Sequence, residues 1–249
     1  MQNAVRFPEI DLLRGIAIVM MAIFHFMFDL NYFGFVSVEL YQGVWLIFQR
    51  ITITLFLLLA GVSLHISYER LEDKSFATVF AKFGKRSAFL FAVSVLITIG
   101  TYVFLNGQGF VVFGIIHLIA LSMLLSILFV GQNKFVNLVA GLAIISIGFL
   151  IYGITTNSLL GLVLGLPSAN FYTIDYVPLF PYFGIVLIGI FMGKTLYANG
   201  QRVFTLPKIN FDFPPTSYFI DLGKNSLLIY LVHQPIIIGL ILLFIRLKS

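Results

Sequence analysis

Apolar runs of about twenty residues recur along the whole chain, separated by short segments rich in Gly, Pro and charged side chains. Read for length, they predict spans at Leu12–Tyr32, Val44–Ser67, Arg86–Phe104, Val111–Val130, Val136–Tyr152, Leu179–Leu196 and Ser226–Ile245. A hydrocarbon core of about 30 Å takes roughly 20 helical residues, so the pattern predicts an all-α fold, a polytopic transmembrane helix bundle with about seven spans. The apolar stretch Ser158–Leu166 is too short to cross and runs into Pro167, which suits a short re-entrant or interfacial piece. Between Glu69 and Lys85, apolar positions at Phe76, Val79, Phe80 and Phe83 predict a helix lying on the membrane surface. The linker Asn199–Ser217, with Pro207, Pro214 and Pro215, predicts a surface segment in which a continuous helix is disfavoured. No soluble segment is left over, and residues 1–249 read as a single integral membrane domain.

Composition strengthens this picture. The chain is 60% apolar and 10% charged, with a mean hydropathy of +1.04, whereas soluble chains carry about 25% charged residues. The net charge of +5 does not call for nucleic acid. With a cytoplasmic N-terminus, Arg6, Arg14, Arg70, Lys74, Lys82, Lys85, Arg86, Lys134, Lys194, Arg202, Lys208 and Lys224 all fall on the cytoplasmic side. The bias predicts a multi-pass protein of the cell membrane, and only Arg246 and Lys248 oppose it. The start of the chain lacks a short apolar core with a small-residue cleavage site, so the first helix is expected to be retained. Without cysteine there is no disulfide, thiolate nucleophile or thiolate metal site. Zinc-binding spacing, a phosphate-cradling glycine loop and a serine nucleophile elbow are absent too, and no metal is expected.

Chemistry is expected where ionisable residues enter the apolar runs, because an intramembrane charge is expensive and marks function by default. His25 and Asp29 are four apart in the first span, so they share a helix face, and a carboxylate there can orient an imidazole base. Arg14 lies three turns earlier, roughly 16 Å below on the same face. His117, in Phe-Gly-Ile-Ile-His, is placed to face His25 as a second base or an acceptor-binding group. Arg50 needs a partner inside the second span, with Asp29 and Asp175 the obvious choices. His233 and Gln234 precede Pro235, where a carbonyl loses its amide partner and polar side chains can line a cavity. Asp175 beside the Pro178–Pro181 turn can edge an outer cavity, while His65 is read as reaching the interface.

The stretch Glu9–Met21 followed by His25, together with Phe113–Ile119, Asp175–Gly184 and Asn225–Pro235, resembles the transmembrane acyltransferase superfamily. It is most similar to small prokaryotic relatives of the heparan-α-glucosaminide N-acetyltransferase catalytic domain. The spacing from Arg14 to His25 also resembles that of the related acyltransferase family 3. The resemblance implies acyl transfer from cytosolic acyl-CoA, acetyl-CoA above all, to a hydroxyl or amine of a sugar-like or lipid acceptor on the far side. It places His25 as base or acyl carrier; the residue chemistry above adds Asp29 and His117 beside it, with Arg50, Asp175, His233 and Gln234 toward the acceptor. Arg14, Lys82, Lys85 and Arg86 would then take the CoA phosphates. Membrane lipids are the expected surroundings and a homodimer is allowed. From the residues alone, a proton-coupled transporter or flippase uses such a His/Asp cluster equally well, and a silent scaffold would need neither.

Overall fold

The computed structural model describes residues 6–206 and 210–248, so Pro207 and Lys208 lie outside the described residues. The described residues form α-helices joined by loops, with no strand among them: α1 (Pro8–Tyr32), α2 (Gly43–Glu69), α3 (Phe76–Phe104), α4 (Ile115–Leu125), α5 (Lys134–Leu150), α6 (Leu159–Leu164), α7 (Leu179–Leu196), α8 (Pro214–Lys224) and α9 (Ser226–Lys248). Five of these, α1, α2, α3, α7 and α9, are long and apolar enough to cross a membrane. Two expected spans are shorter, at Ile115–Leu128 and Lys134–Leu150. The first of them starts late because Phe113 is extended and bridged to Tyr176, and it tightens into a 3-10 turn at Ser126–Leu128.

Three other features differ from the sequence pattern. No breaker separates Phe83 from Arg86, so the expected surface helix is simply the first turns of α3. Ser75 caps that helix by accepting from the Thr78 amide, and Asp73 in turn accepts from the Ser75 amide at 2.8 Å. The Ser75 and Thr78 hydroxyls also donate to the Asp73 carboxylate, and these two bonds, helped by the Ser75 amide, hold Asp73 below the usual range. Pro214 and Pro215 start α8 instead of preventing a helix, since the first turn has no use for their missing amide protons. His65 is buried rather than interfacial: its ring packs on Gly193 and lies 3.2 Å from the Tyr197 carbonyl, which its Nε2 contacts.

The chain divides into two compact units, one made from the chain up to Phe56 and from Leu206 onward, the other from Leu57 to Thr205. In the second, α5 packs along α7 and α3 along α4. Glycines bring the backbones together there: a Cβ on Gly61 would lie 2.1 Å from the Val186 carbonyl oxygen, and one on Gly184 2.4 Å from that of Gly141. Membrane helices gain little from burying apolar surface against one another, so such close van der Waals contact supplies the packing energy.

In the first unit α1 packs against α8 and α9. The approach to α8 is backbone on backbone, with a Cβ on Gly15 reaching 1.8 Å from the Phe219 oxygen and one on Gly223 1.8 Å from the Asp11 oxygen. Farther along α1 His25 meets His233, and Phe35 just past its end meets Phe244, so α1 and α9 run in the same direction.

Gly223→Leu is expected to destabilise the protein by about 1–3 kcal/mol or more, through enforced separation of α1 and α8. Gly100→Ala, at a helical position with nothing within 4 Å of the new methyl, should gain up to about 1 kcal/mol. Melting temperatures of the two purified variants in detergent, compared with wild type, check both.

Candidate functional site

Seven residues before the end of α1, His25 sits about 10 Å from that end, half-buried, with Phe24 edge-on at 6.0 Å. Trp45 of α2 covers Phe24 at 6.5 Å. The Nδ1 of His25 lies 3.0 Å from the Met21 carbonyl one turn back. A carbonyl oxygen can only accept, so Nδ1 carries the proton and the neutral ring presents Nε2 as its base. The ring faces His233 of α9, with centroids 4.9 Å apart and planes at 66°. His233 repeats the arrangement: its Nδ1 lies 2.6 Å from the Tyr230 carbonyl, and its buried Nε2 has no partner among the described residues.

Asp29 lies one turn beyond His25, as the spacing predicts, yet the group that orients the His25 ring is the Met21 carbonyl. The Asp29 carboxylate is buried and takes a hydrogen bond from the Gln234 amide nitrogen at 3.4 Å. Its second oxygen and the Gln234 amide oxygen find no donor among the described residues. Three buried acceptor atoms, Asp29 Oδ2, Gln234 Oε1 and His233 Nε2, therefore line one seam beside a half-buried imidazole. The seam is short of donors. Sequence spacing found each residue and missed their assembly, because His25 and His233 meet across two helices far apart in the chain.

Three turns below, Arg14 is partly exposed and pairs with Asp11 at 3.2 Å. Arg50 lies inside α2 and is exposed.

In the second unit His117 has the opposite tautomer. Its Nδ1 accepts from the Gly114 amide at 3.3 Å, which leaves the neutral ring's proton on Nε2, 3.4 Å from the Thr98 hydroxyl. Both nitrogens are occupied, so the ring works as a cap for α4. The Asp175 carboxylate does similar work by accepting from the Ile115 amide at 3.3 Å. Gly114 makes room for it, since a Cβ there would lie 2.2 Å from Asp175 Oδ2. Thr173 fixes the same loop by donating to the Phe110 carbonyl at 2.6 Å. Desolvation pushes the Asp175 carboxyl up to about 6, and the amide bond opposes it only in part. Burial likewise drives the Tyr176 hydroxyl, which donates to Leu162 at 2.6 Å, to about 12.

Lys82 donates to the Ser67 carbonyl at 2.8 Å, with Arg70 and Arg86 close by, and Lys85 and Arg86 are exposed on α3. A shallow cavity of about 330 Å³ is bounded by Thr156, Asn157, Ser158, Leu159, Leu162 and Ser168. It holds none of the residues expected from the sequence. Among the described residues no three His, Asp or Glu side chains gather as a metal site.

Apolar helices of spanning length with an ionisable seam between two of them fit a membrane protein. The chain belongs to the family described as heparan-alpha-glucosaminide N-acetyltransferase, catalytic, which matches residues 6–235 and so runs through both units. That family is one of membrane acetyltransferases. No curated protein and no solved structure gives a significant match.

Because Asp175 binds its proton more tightly folded than unfolded, it favours the fold below pH 4, and that contribution is lost as the pH rises through about 6. The loss is up to about 3 kcal/mol. Asp175→Asn keeps an oxygen for the Ile115 amide and removes the ionisation. Its melting temperature should fall less than that of wild type between pH 4.5 and 7, as followed by thermal unfolding in detergent.

Proposed function

We propose that the protein moves an acetyl group from cytosolic acetyl-CoA to a hydroxyl or amine of a sugar-like acceptor on the outer side of the cell membrane, with His25 as the base. The observation that carries this reading is the donor-poor seam: His25 Nε2 is left free by the Met21 carbonyl, beside two buried acceptor oxygens, Asp29 Oδ2 and Gln234 Oε1, with no donor of their own. A hydroxyl or amine brings the missing donors, and its proton is the one a base must remove before attack on the thioester. His25 Nε2 takes that proton, the acceptor heteroatom bonds to the acetyl carbon, the carbon–sulfur bond breaks, and the CoA thiolate recovers the proton. Attack on the thioester by His25 itself, with a passing acyl-imidazole, uses the same lone pair.

Asp29 and Gln234 hold the acceptor, and Arg14, on the histidine-bearing helix, meets the CoA phosphates. Lys82, Lys85 and Arg86 form a second basic face at the start of α3. His117 and Asp175 fix the start of α4 in their own unit. Seven crossings are the reading the parallel course of α1 and α9 favours: each crossing reverses direction, so two parallel crossings require an odd total. The two shorter helices then join the five long ones. Lys and Arg mark the side of the N-terminus as cytoplasmic. A transporter reading draws on the same seam, and only thioester-dependent product separates the two.

Purified protein in detergent should bind acetyl-CoA saturably, with Arg14→Ala weakening binding about tenfold. His25→Ala should leave binding in place and lower acetyl transfer by about 10²–10⁴. Equilibrium binding and thioester consumption measure both, and folded protein that binds no acyl-CoA would overturn the proposal.

A further inference from the structure

A buried imidazole that takes up a proton needs something to accept a hydrogen bond from the new N–H, or the charge stays stranded in an apolar surround. For His25 the expected group is Asp29, one turn on, yet no hydrogen bond joins the two: one carboxylate oxygen takes the Gln234 amide and the other has no partner among the described residues. The Met21 carbonyl cannot serve, because it already holds the other ring nitrogen. What faces the ring is His233, 4.9 Å away between centroids. Its Nδ1 is committed to Tyr230, and its buried Nε2 is an acceptor without a donor. Two rings each locked with the proton on Nδ1 thus present two lone pairs to one seam.

We infer that His25 and His233 form a proton-sharing pair, in which His233 Nε2 accepts the hydrogen bond of the proton that His25 Nε2 takes up and so holds at most one proton with it. This rests on the acetyl-transfer reading for its role in turnover and on geometry alone for its existence. The acceptor X–H bond breaks and its proton goes to His25 Nε2. It stays there, hydrogen-bonded to His233, while the X–C bond forms and the C–S bond breaks, and it then passes to the thiolate. His233 touches neither donor nor acceptor in this scheme and is a positioning residue. A second proton on the pair would place two cations side by side, which the apolar walls of Phe24 and Tyr230 disfavour. The other ionisable groups of the packed elements are Asp29 and Tyr32 on α1, Tyr230 on α9 and Arg50 on α2; Glu9, Asp11, Arg14, Tyr218, Asp221 and Lys224 lie toward the Gly15–Gly223 contact, and Arg246 and Lys248 at the far end of α9.

The test is nitrogen NMR of the full-length protein in detergent with ¹⁵N-labelled histidine, the four histidines being assigned by single substitution. At high pH His25 and His233 should both be protonated at Nδ1, with His117 protonated at Nε2 as an internal contrast. On acidification the Nε2 signals of His25 and His233 should move together in one step, and His233→Gln should shift that step for His25. Independent titration of the two rings, or an Nε2–H neutral tautomer in either, overturns the pair. None of this needs turnover, so it stands even if acetyl transfer is not found. Where transfer is measured, His233→Gln, which keeps an acceptor oxygen, should hold the KM for acetyl-CoA within about twofold and lower kcat about tenfold; His233→Leu should lower kcat about 100-fold. Equal kcat for wild type and His233→Leu overturns the role in turnover.

Discussion

Inside a bilayer a polar atom has no water to turn to, so each one must be satisfied by the chain or by what the chain binds. Most of the polar side chains in these helices meet the requirement locally. Thr52, Ser63 and Thr101 donate to carbonyls of their own helices, and Ser87 donates to Ala120 of a neighbouring one. Against that background the α1–α9 seam gathers three unfilled buried acceptors, on Asp29, Gln234 and His233, whereas His65, Ser122, Ser126 and Asn137 each leave a polar atom unfilled elsewhere. On the proposed reading the acceptor's own donors meet the Asp29 and Gln234 oxygens, which joins the energetics of the fold to those of substrate binding.

The packing around the seam explains how it is kept in shape. Gly15 and Gly223 let α1 and α8 touch through their backbones, and α9 comes directly after α8 in the chain. The start of α9 is therefore set by a contact too close to slide, and His233, two turns in, inherits that placement. Pro235 deprives the Leu231 carbonyl of its amide partner, but α9 continues through it. The polar stretch of α9 is consequently held within a helix rather than at a break.

Much of this was legible in the sequence, and the remainder has physical reasons for being hidden. Apolar run length placed α7 at its observed bounds and α2 and α9 within a few residues of theirs, because length and composition are what make a span. It failed at α4, where pairing of Phe113 with Tyr176 shortens the helix, and at α8, where a proline pair acts as a breaker inside a helix and as a good start at its first turn. His25 and Asp29 were marked by their helical spacing. That a backbone carbonyl, not the carboxylate, orients the ring leaves no trace in residue identity. Nor does residue type distinguish His117, a cap with both nitrogens occupied, from His233, whose Nε2 is open; both are lone histidines in apolar runs.

The bonds that hold the two rings, Met21 to His25 and Tyr230 to His233, each lie within a single helical turn. Ring orientation therefore does not depend on any loop, and a chimera with every connecting segment exchanged would carry the same pair of lone pairs as long as α1, α8 and α9 still met. On the proposed reading, the reactive centre and the groups that select its acceptor can diverge separately: the loops are free to vary with the molecule to be modified, while two short stretches of helix keep the chemistry fixed.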